Sequence, residues 1–217
     1  MSYVMVDIES DGPNPGDHSM ICFGAVLVEP ALSKTFYGQL RPISDRWEPE
    51  ALAISGFTRE QTLAFPEPEG VMRQFGAWLN EHVSGQPMFI SDNNGFDWQF
   101  INWYFHHFTG SNPFGYSSTN LGSIYKGLVR DTFQNFKHLR KTPHTHNPVD
   151  DAKGNAEALL AMMDQFQLKI RLLTPGVRPA GRVALCYCQD QRPWPTDRTE
   201  VLSIDFDNAT RASRLQQ

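Results

Sequence analysis

The segment SYVMVDIESDG, Ser2 to Gly12, decides the reading of this chain. Its apolar run from Tyr3 to Val6 has the length and β-branched character of a buried strand, and it meets two acids one residue apart, Asp7 and Glu9. A spacing of two puts both carboxylates on the same face of an extended chain. Like charges held that close repel unless a cation sits between them. A lone D-x-E also opens an ordinary polar turn, so the weight of the reading falls on what the remaining sequence supplies.

Working outward, Met20 to Glu29 reads as a second, continuously apolar strand after the Gly/Pro/Asn-rich GPNPGDHS, and Lys34 to Leu40 alternates as a third. These three make an antiparallel meander. From Glu69 to Val83 the residues Val71, Phe75, Trp78, Leu79 and Val83 recur at helical spacing, and PMFIS at Pro87 to Ser91 returns as a short strand, so the helix crosses over the sheet. After Asp97 the residues Phe100, Ile101, Tyr104, Phe105 and Phe108 follow a helical period, and Asp150 to Phe166 is the last clear helix. The pattern predicts an α/β fold: a mixed sheet, the meander plus parallel strands, flanked by helices. It also predicts one domain over residues 1–167 and a C-terminal appendage over 168–217, where TPGVRPAG reads as a linker and VALCYC as a strand candidate.

Composition narrows the class. The chain has 217 residues, 40% hydrophobic and 20% charged, enough for a full core. A formal net charge of -5 excludes a broad cationic face for long duplexes, so a nucleic-acid partner would be held locally. Three cysteines are too few for a disulfide framework, no apolar run reaches membrane-spanning length, and the start lacks a signal-peptide pattern, so a cytoplasmic, membrane-free protein is expected.

Two further segments carry acids in telling places. In SDNNGFDWQF, the residues Asn93, Asn94 and Gly95 read as a turn after a strand, with Asp97 opening an aromatic-rich helix. In HNPVDDAKGNAEAL, His146 stands in a loop, Pro148 and Asp150 at a helix start, and Asp151 in its first turn. Each alone also fits a capped helix with an acid near its positive end, or a solvated histidine. Hard oxygen donors with no evident cysteine or histidine cluster favour Mg²⁺ or Mn²⁺ over zinc.

Together these segments resemble the DEDDh family of 3′-to-5′ exonucleases, which have an RNase H-like fold and include proofreading subunits, oligoribonuclease and RNase T. The family's D-x-E matches Asp7 and Glu9; its N-x-x-F-D matches Asn93, Phe96 and Asp97; its H-x-x-x-x-D matches His146 and Asp151, followed by Ala152. An apolar-x-G-x-T-x-E segment is met by Ile54, Gly56, Thr58 and Glu60 in ISGFTRE. The resemblance covers about residues 3–166 and departs at Ser10 and Asp11, where many members carry threonines, and at Pro148, where alanine is common. It implies that Asp7, Glu9, Asp97 and Asp151 are metal ligands for two divalent ions, Mg²⁺ or Mn²⁺, with Asp7 bridging, and that His146 is the general base for the attacking water. It further implies a single-stranded RNA or DNA 3′ end as substrate, nucleoside 5′-monophosphates as products, and Ser10, Phe57, Asn93 and Trp98 as substrate-binding candidates, with Phe57 the foremost wedge against terminal bases. Related exonucleases are often homodimers.

Asp11 is expected to add an anion near the terminal nucleotide. Arg130, Lys137, Arg140 and Lys141 read as a solvated basic face, His138 and His144 have no partner in the pattern, and Cys186 and Cys188 do not make a metal pair. Two other readings stay open on the residues: a phosphodiesterase for dinucleotides or small nucleotide signals, and a catalytically silent nucleic-acid-binding module of the same fold.

Overall fold

The computed structural model describes residues 2–170. VALCYC, Cys186, Cys188 and all but the first three residues of the expected appendage lie outside the described residues.

Five strands form one mixed sheet in the order β3-β2-β1-β4-β5, with β1 at Ser2–Ser10, β2 at Met20–Leu27, β3 at Thr35–Gln39, β4 at Pro87–Ser91 and β5 at Ser118–Asn120. β1 pairs antiparallel with β2 and parallel with β4, β3 completes the meander, and β5 adds a parallel edge. The mixed sheet expected from the sequence is the one found.

The period of two along β1 divides its residues between two cores. Val4, Val6 and Ile8 join Phe75 of α3 (Pro68–His82) and Phe100, Ile101, Tyr104 and Phe105 of α4 (Asn94–Thr109). Met5 on the other face joins Leu121 and Tyr125 of α5 (Leu121–Val129) and Ala152, Ala156, Leu159 and Met162 of α6 (Pro148–Gln165). Asp7 and Glu9 share the parity of Met5, so they face the α6 side at the end of the strand. Past α6, Leu168 and Ile170 pack against this second core.

Between the meander and α3 lie two short helices, α1 (Pro49–Ile54) and α2 (Arg59–Leu63). Their junction explains ISGFTRE in structural terms. Gly56 adopts φ 76°, a left-handed turn past the end of α1, and Thr58 caps α2 in a reciprocal capping box with Gln61.

One close approach positions α6. Gly24 of β2 is the register partner of Asp7, and a Cβ there would lie 2.4 Å from the Pro148 carbonyl carbon and the Val149 nitrogen. Only glycine lets the start of α6 rest on the sheet directly across from Asp7. Pro148 suits that start, because the first helical position has no intrahelical use for an N–H. Gly24→Ala is expected to cost about 1–3 kcal/mol through this overlap. Chemical denaturation measures the loss, which should come with a weakened site because α6 is displaced from β1.

Candidate active site

Acids from two elements, β1 and α6, converge at the end of β1, and Asp97 of α4 lies outside that close group. One carboxylate oxygen each from Asp7, Glu9 and Asp151 lies within 4.8 Å of the others. Asp151 comes from the first turn of α6, where Asn147 caps the helix by accepting from the Val149 and Asp150 amides. The Asp151 carboxylate is itself held, accepting from the Thr145 amide and the His146 amide at 3.0 Å each.

Asp97 comes from α4, whose start is not where the sequence suggested. The helix begins at Asn94, so Asn94 and Gly95 are helical rather than a turn, and Asp97 is a buried residue in the first turn. Asn94 is tied to the sheet edge, donating to the Thr119 carbonyl and accepting from the Ser118 hydroxyl. One Asp97 oxygen, Oδ2, is buried without a hydrogen-bond partner.

Burial and mutual repulsion set the titration of these acids. Asp7 is pushed well above the usual carboxylate range, first by burial and then by Asp97, Asp151 and Glu9, with Arg140 pulling the other way. Glu9 is raised to about 7 by burial and by Asp151. Asp97 is raised to about 8, chiefly by burial, against the lowering effect of Ser91 and the Ile8 amide. Such a set is costly to ionise as it stands, and three clustered carboxylates, with the buried Asp97 acting on Asp7 electrostatically, are an arrangement a divalent cation relieves.

His146 stands half-exposed with φ 60° and its Nδ1 3.6 Å from Glu9 Oε1. His144, which the sequence left without a partner, has its Nδ1 2.8 Å from Asp151 Oδ1. Alternating H-x-H ahead of the third-motif aspartate was the signal available for it.

Beside the acids lies a slot of about 260 Å³, lined by Glu9, Ser10, Pro13, Ala51, Ile54 and Phe96 among others. Of the expected substrate-binding residues only Ser10 borders it, and the Ser10 hydroxyl is spent on the Gly12 carbonyl at 2.7 Å. Phe57 is not among the slot-lining residues. α1 ends before the left-handed turn at Gly56, and the Phe57 ring beyond it meets Phe65 edge-on at 5.0 Å. Ile54, half-exposed, takes the wall position instead. Trp98 packs against Phe89 and borders a separate shallow groove with Trp103 and His107. Asn93 is exposed at the start of α4, with no side-chain cap bond.

Two charged residues behave otherwise than expected. Asp11 is fully buried and paired with Arg59 at 3.0 Å while its carboxylate accepts from the Ser19 amide, so it adds no free anion to the slot. Arg140 is no solvated cation: its guanidinium is largely buried, 3.2 Å from Asp92 and 5.4 Å from the Phe136 ring centre.

A mixed sheet with acids gathered at the end of its central strand defines an RNase H-like nuclease fold, and solved structures agree. The nuclease domain of 3′hExo, a DEDDh family member bound to rAMP, superposes with a TM-score of 0.63 at 18% identity over 80% of this chain and 97% of that one. The Mg²⁺- and Mn²⁺-bound form of Pop2p from S. pombe gives 0.58 at 14% identity, over 76% and 84%. In sequence, the 3′-5′ DNA exonuclease Cap18 of Escherichia coli is 35% identical over 181 residues, covering 78% of this chain and 95% of the relative. No protein-family model matches the chain. On that identity and coverage the chain belongs to the DEDDh family of 3′-5′ exonucleases.

The raised acids carry a sign. A carboxyl whose folded value lies above its unfolded one contributes stability below the unfolded value and loses it as pH rises through the folded value. The metal-free protein should therefore lose thermal stability as pH rises from about 4 through the values of about 7 for Glu9 and about 8 for Asp97. Asp97→Asn, which removes one buried charge, should raise Tm of the metal-free protein at the alkaline end and flatten that slope, measured by scanning calorimetry across the range.

Proposed function

We propose that this enzyme removes nucleotides one at a time from the 3′ end of single-stranded DNA, releasing nucleoside 5′-monophosphates, with two divalent ions, Mg²⁺ or Mn²⁺, as cofactors. The observation that carries the reading is the convergence of Asp7, Glu9 and Asp151 on one point, with the orphaned Asp97 oxygen close enough to raise Asp7, beside an apolar-walled slot. The preference for DNA rests on the 35% identical relative, whose name gives that substrate.

In this reading Asp7, Glu9, Asp97 and Asp151 hold the ions, which supply charge neutralisation at the scissile phosphate. The chain's own residues do the rest. Ile54, Ala51 and Phe96 receive the terminal nucleoside by apolar contact, so that a 3′ end rather than an internal bond enters. His146 takes the proton of the attacking water as general base, and its place on a left-handed turn in front of Glu9 directs the imidazole at the acid cluster. Arg140, paired with Asp92, offsets part of the repulsion on Asp7.

Digestion of 5′-labelled single-stranded DNA, matched RNA and a dinucleotide tests this. A ladder shortening from the 3′ end of DNA, abolished by EDTA and slowed roughly 100- to 10,000-fold in His146→Ala, is the expected result. Cleavage of the dinucleotide with both polymers intact would replace the reading by a small-nucleotide phosphodiesterase. Ile54→Ala should raise KM roughly fivefold with kcat nearly unchanged, the loss of about 1 kcal/mol of apolar contact.

A further inference from the structure

The acid cluster is not the only set of metal donors at this end of the sheet. His144, His146 and Asp151 also offer one donor atom each, all within 4.8 Å of one another. We infer that these three residues form a second, nitrogen-rich metal site that takes Zn²⁺ and thereby switches the enzyme off. The existence of the site is independent of the function proposed above; only its inhibitory consequence rests on that reading.

The chemistry of the donors separates the two sites. Asp7, Glu9 and Asp97 present oxygen alone, which suits Mg²⁺ and Mn²⁺. Two imidazoles and one carboxylate are the donor set of a three-ligand zinc centre, and imidazole favours Zn²⁺ over Mg²⁺.

The loop is built to gather these donors. Because the amides of Thr145 and His146 both donate to the Asp151 carboxylate, the loop that carries the two histidines is tied to that group. The left-handed φ of 60° at His146 then folds the loop so that the two imidazoles stand with ring centres 4.4 Å apart at 66°. His144 Nδ1 already lies 2.8 Å from Asp151 Oδ1. Donors around tetrahedral zinc sit about 3.3 Å apart, given bonds of about 2.0–2.1 Å. Both histidine side chains are 51% exposed, so rotation of each imidazole closes the remaining distance without disturbing the core.

Occupation of this site has a direct consequence. It takes Asp151 from the acid cluster and removes the lone pair of His146 that would accept a proton. Zn²⁺ and Mg²⁺ share Asp151, so excess Mg²⁺ should relieve the inhibition.

Titration of the metal-free protein with Co²⁺, a zinc substitute with visible absorption, reads the site without reference to activity. Strong visible bands of a tetrahedral ion with nitrogen ligands, displaced by Zn²⁺ and lost in His144→Ala, are expected. So is a rise of roughly tenfold in the Zn²⁺ concentration that half-inhibits the nuclease in that variant. His144→Asn, which keeps an N–H for Asp151, guards against a folding defect and should lose the bands as well. Weak octahedral absorption in the natural protein, or bands unchanged by either substitution, would overturn the site. Bands that behave as expected in a protein that degrades no strand would leave the site standing and dismiss the exonuclease reading. A nuclease whose Zn²⁺ inhibition ignores His144 would do the opposite.

Discussion

The structure turns on the cost of placing carboxylates together at the end of one buried strand. Asp7 sits on the central strand β1, Glu9 two residues on, Asp151 arrives from α6 and Asp97 from α4, and burial raises Asp7, Glu9 and Asp97 above the ordinary range. Nothing in that arrangement stabilises the fold. The stability comes from the two cores on either side of β1, each anchored by aromatic and aliphatic residues of no chemical interest. Those cores hold the acids where repulsion would otherwise separate them, and backbone amides from Thr145 and His146 fix Asp151 in particular.

A contrast within the same few residues shows that the clustering is selective. Asp11 is as buried as any acid among the described residues, yet it has Arg59 and the Ser19 amide as partners, the usual solution for an interior charge. Asp97, comparably buried, has an oxygen with no partner at all. A fold able to supply a cation to one of these acids leaves the other unsatisfied, and the unsatisfied one is beside the cluster. Arg140 goes only part of the way: it pairs with Asp92 and offsets a minor share of the rise at Asp7.

How much of this was legible in the sequence follows from what each signal depends on. The three meander strands and α6 were readable because their apolar periodicity is local, and the acids because their spacing is fixed by backbone geometry. The start of α4 was misread by three residues: Asn94 and Gly95 are poor helix formers, and the bonds from Asn94 to Ser118 and Thr119 that hold it there are tertiary. Strand β5 and helices α1, α2 and α5 were missed, the first three because such brief elements carry little pattern and α5 because Gly122 and Gly127 weaken its helical signal. Ile54 rather than Phe57 lines the slot, and the left-handed Gly56 between them, which turns the chain after α1, leaves no trace in the apolar pattern of ISGFTRE. Pairings of Asp11 with Arg59 and of Arg140 with Asp92 each span 48 residues, a separation at which sequence alone assigns no partner.

The same pairings bear on how a chain of net charge -5 holds a polyanion. Arg59 and Arg140 are committed to Asp11 and Asp92, and the slot itself is bordered by Glu9 and Glu48 with no lysine or arginine among its described lining residues. Without its ions the slot therefore repels phosphate. Among the described residues, the proposed function therefore draws substrate affinity at the slot from two sources, ions held by the acids and apolar contact with a nucleoside at Ile54 and Phe96. Coupling of substrate binding to metal occupancy is the consequence. A slot that attracts phosphate only where ions sit favours a strand end over an internal segment, so in the proposed function electrostatics and end-directed action point the same way.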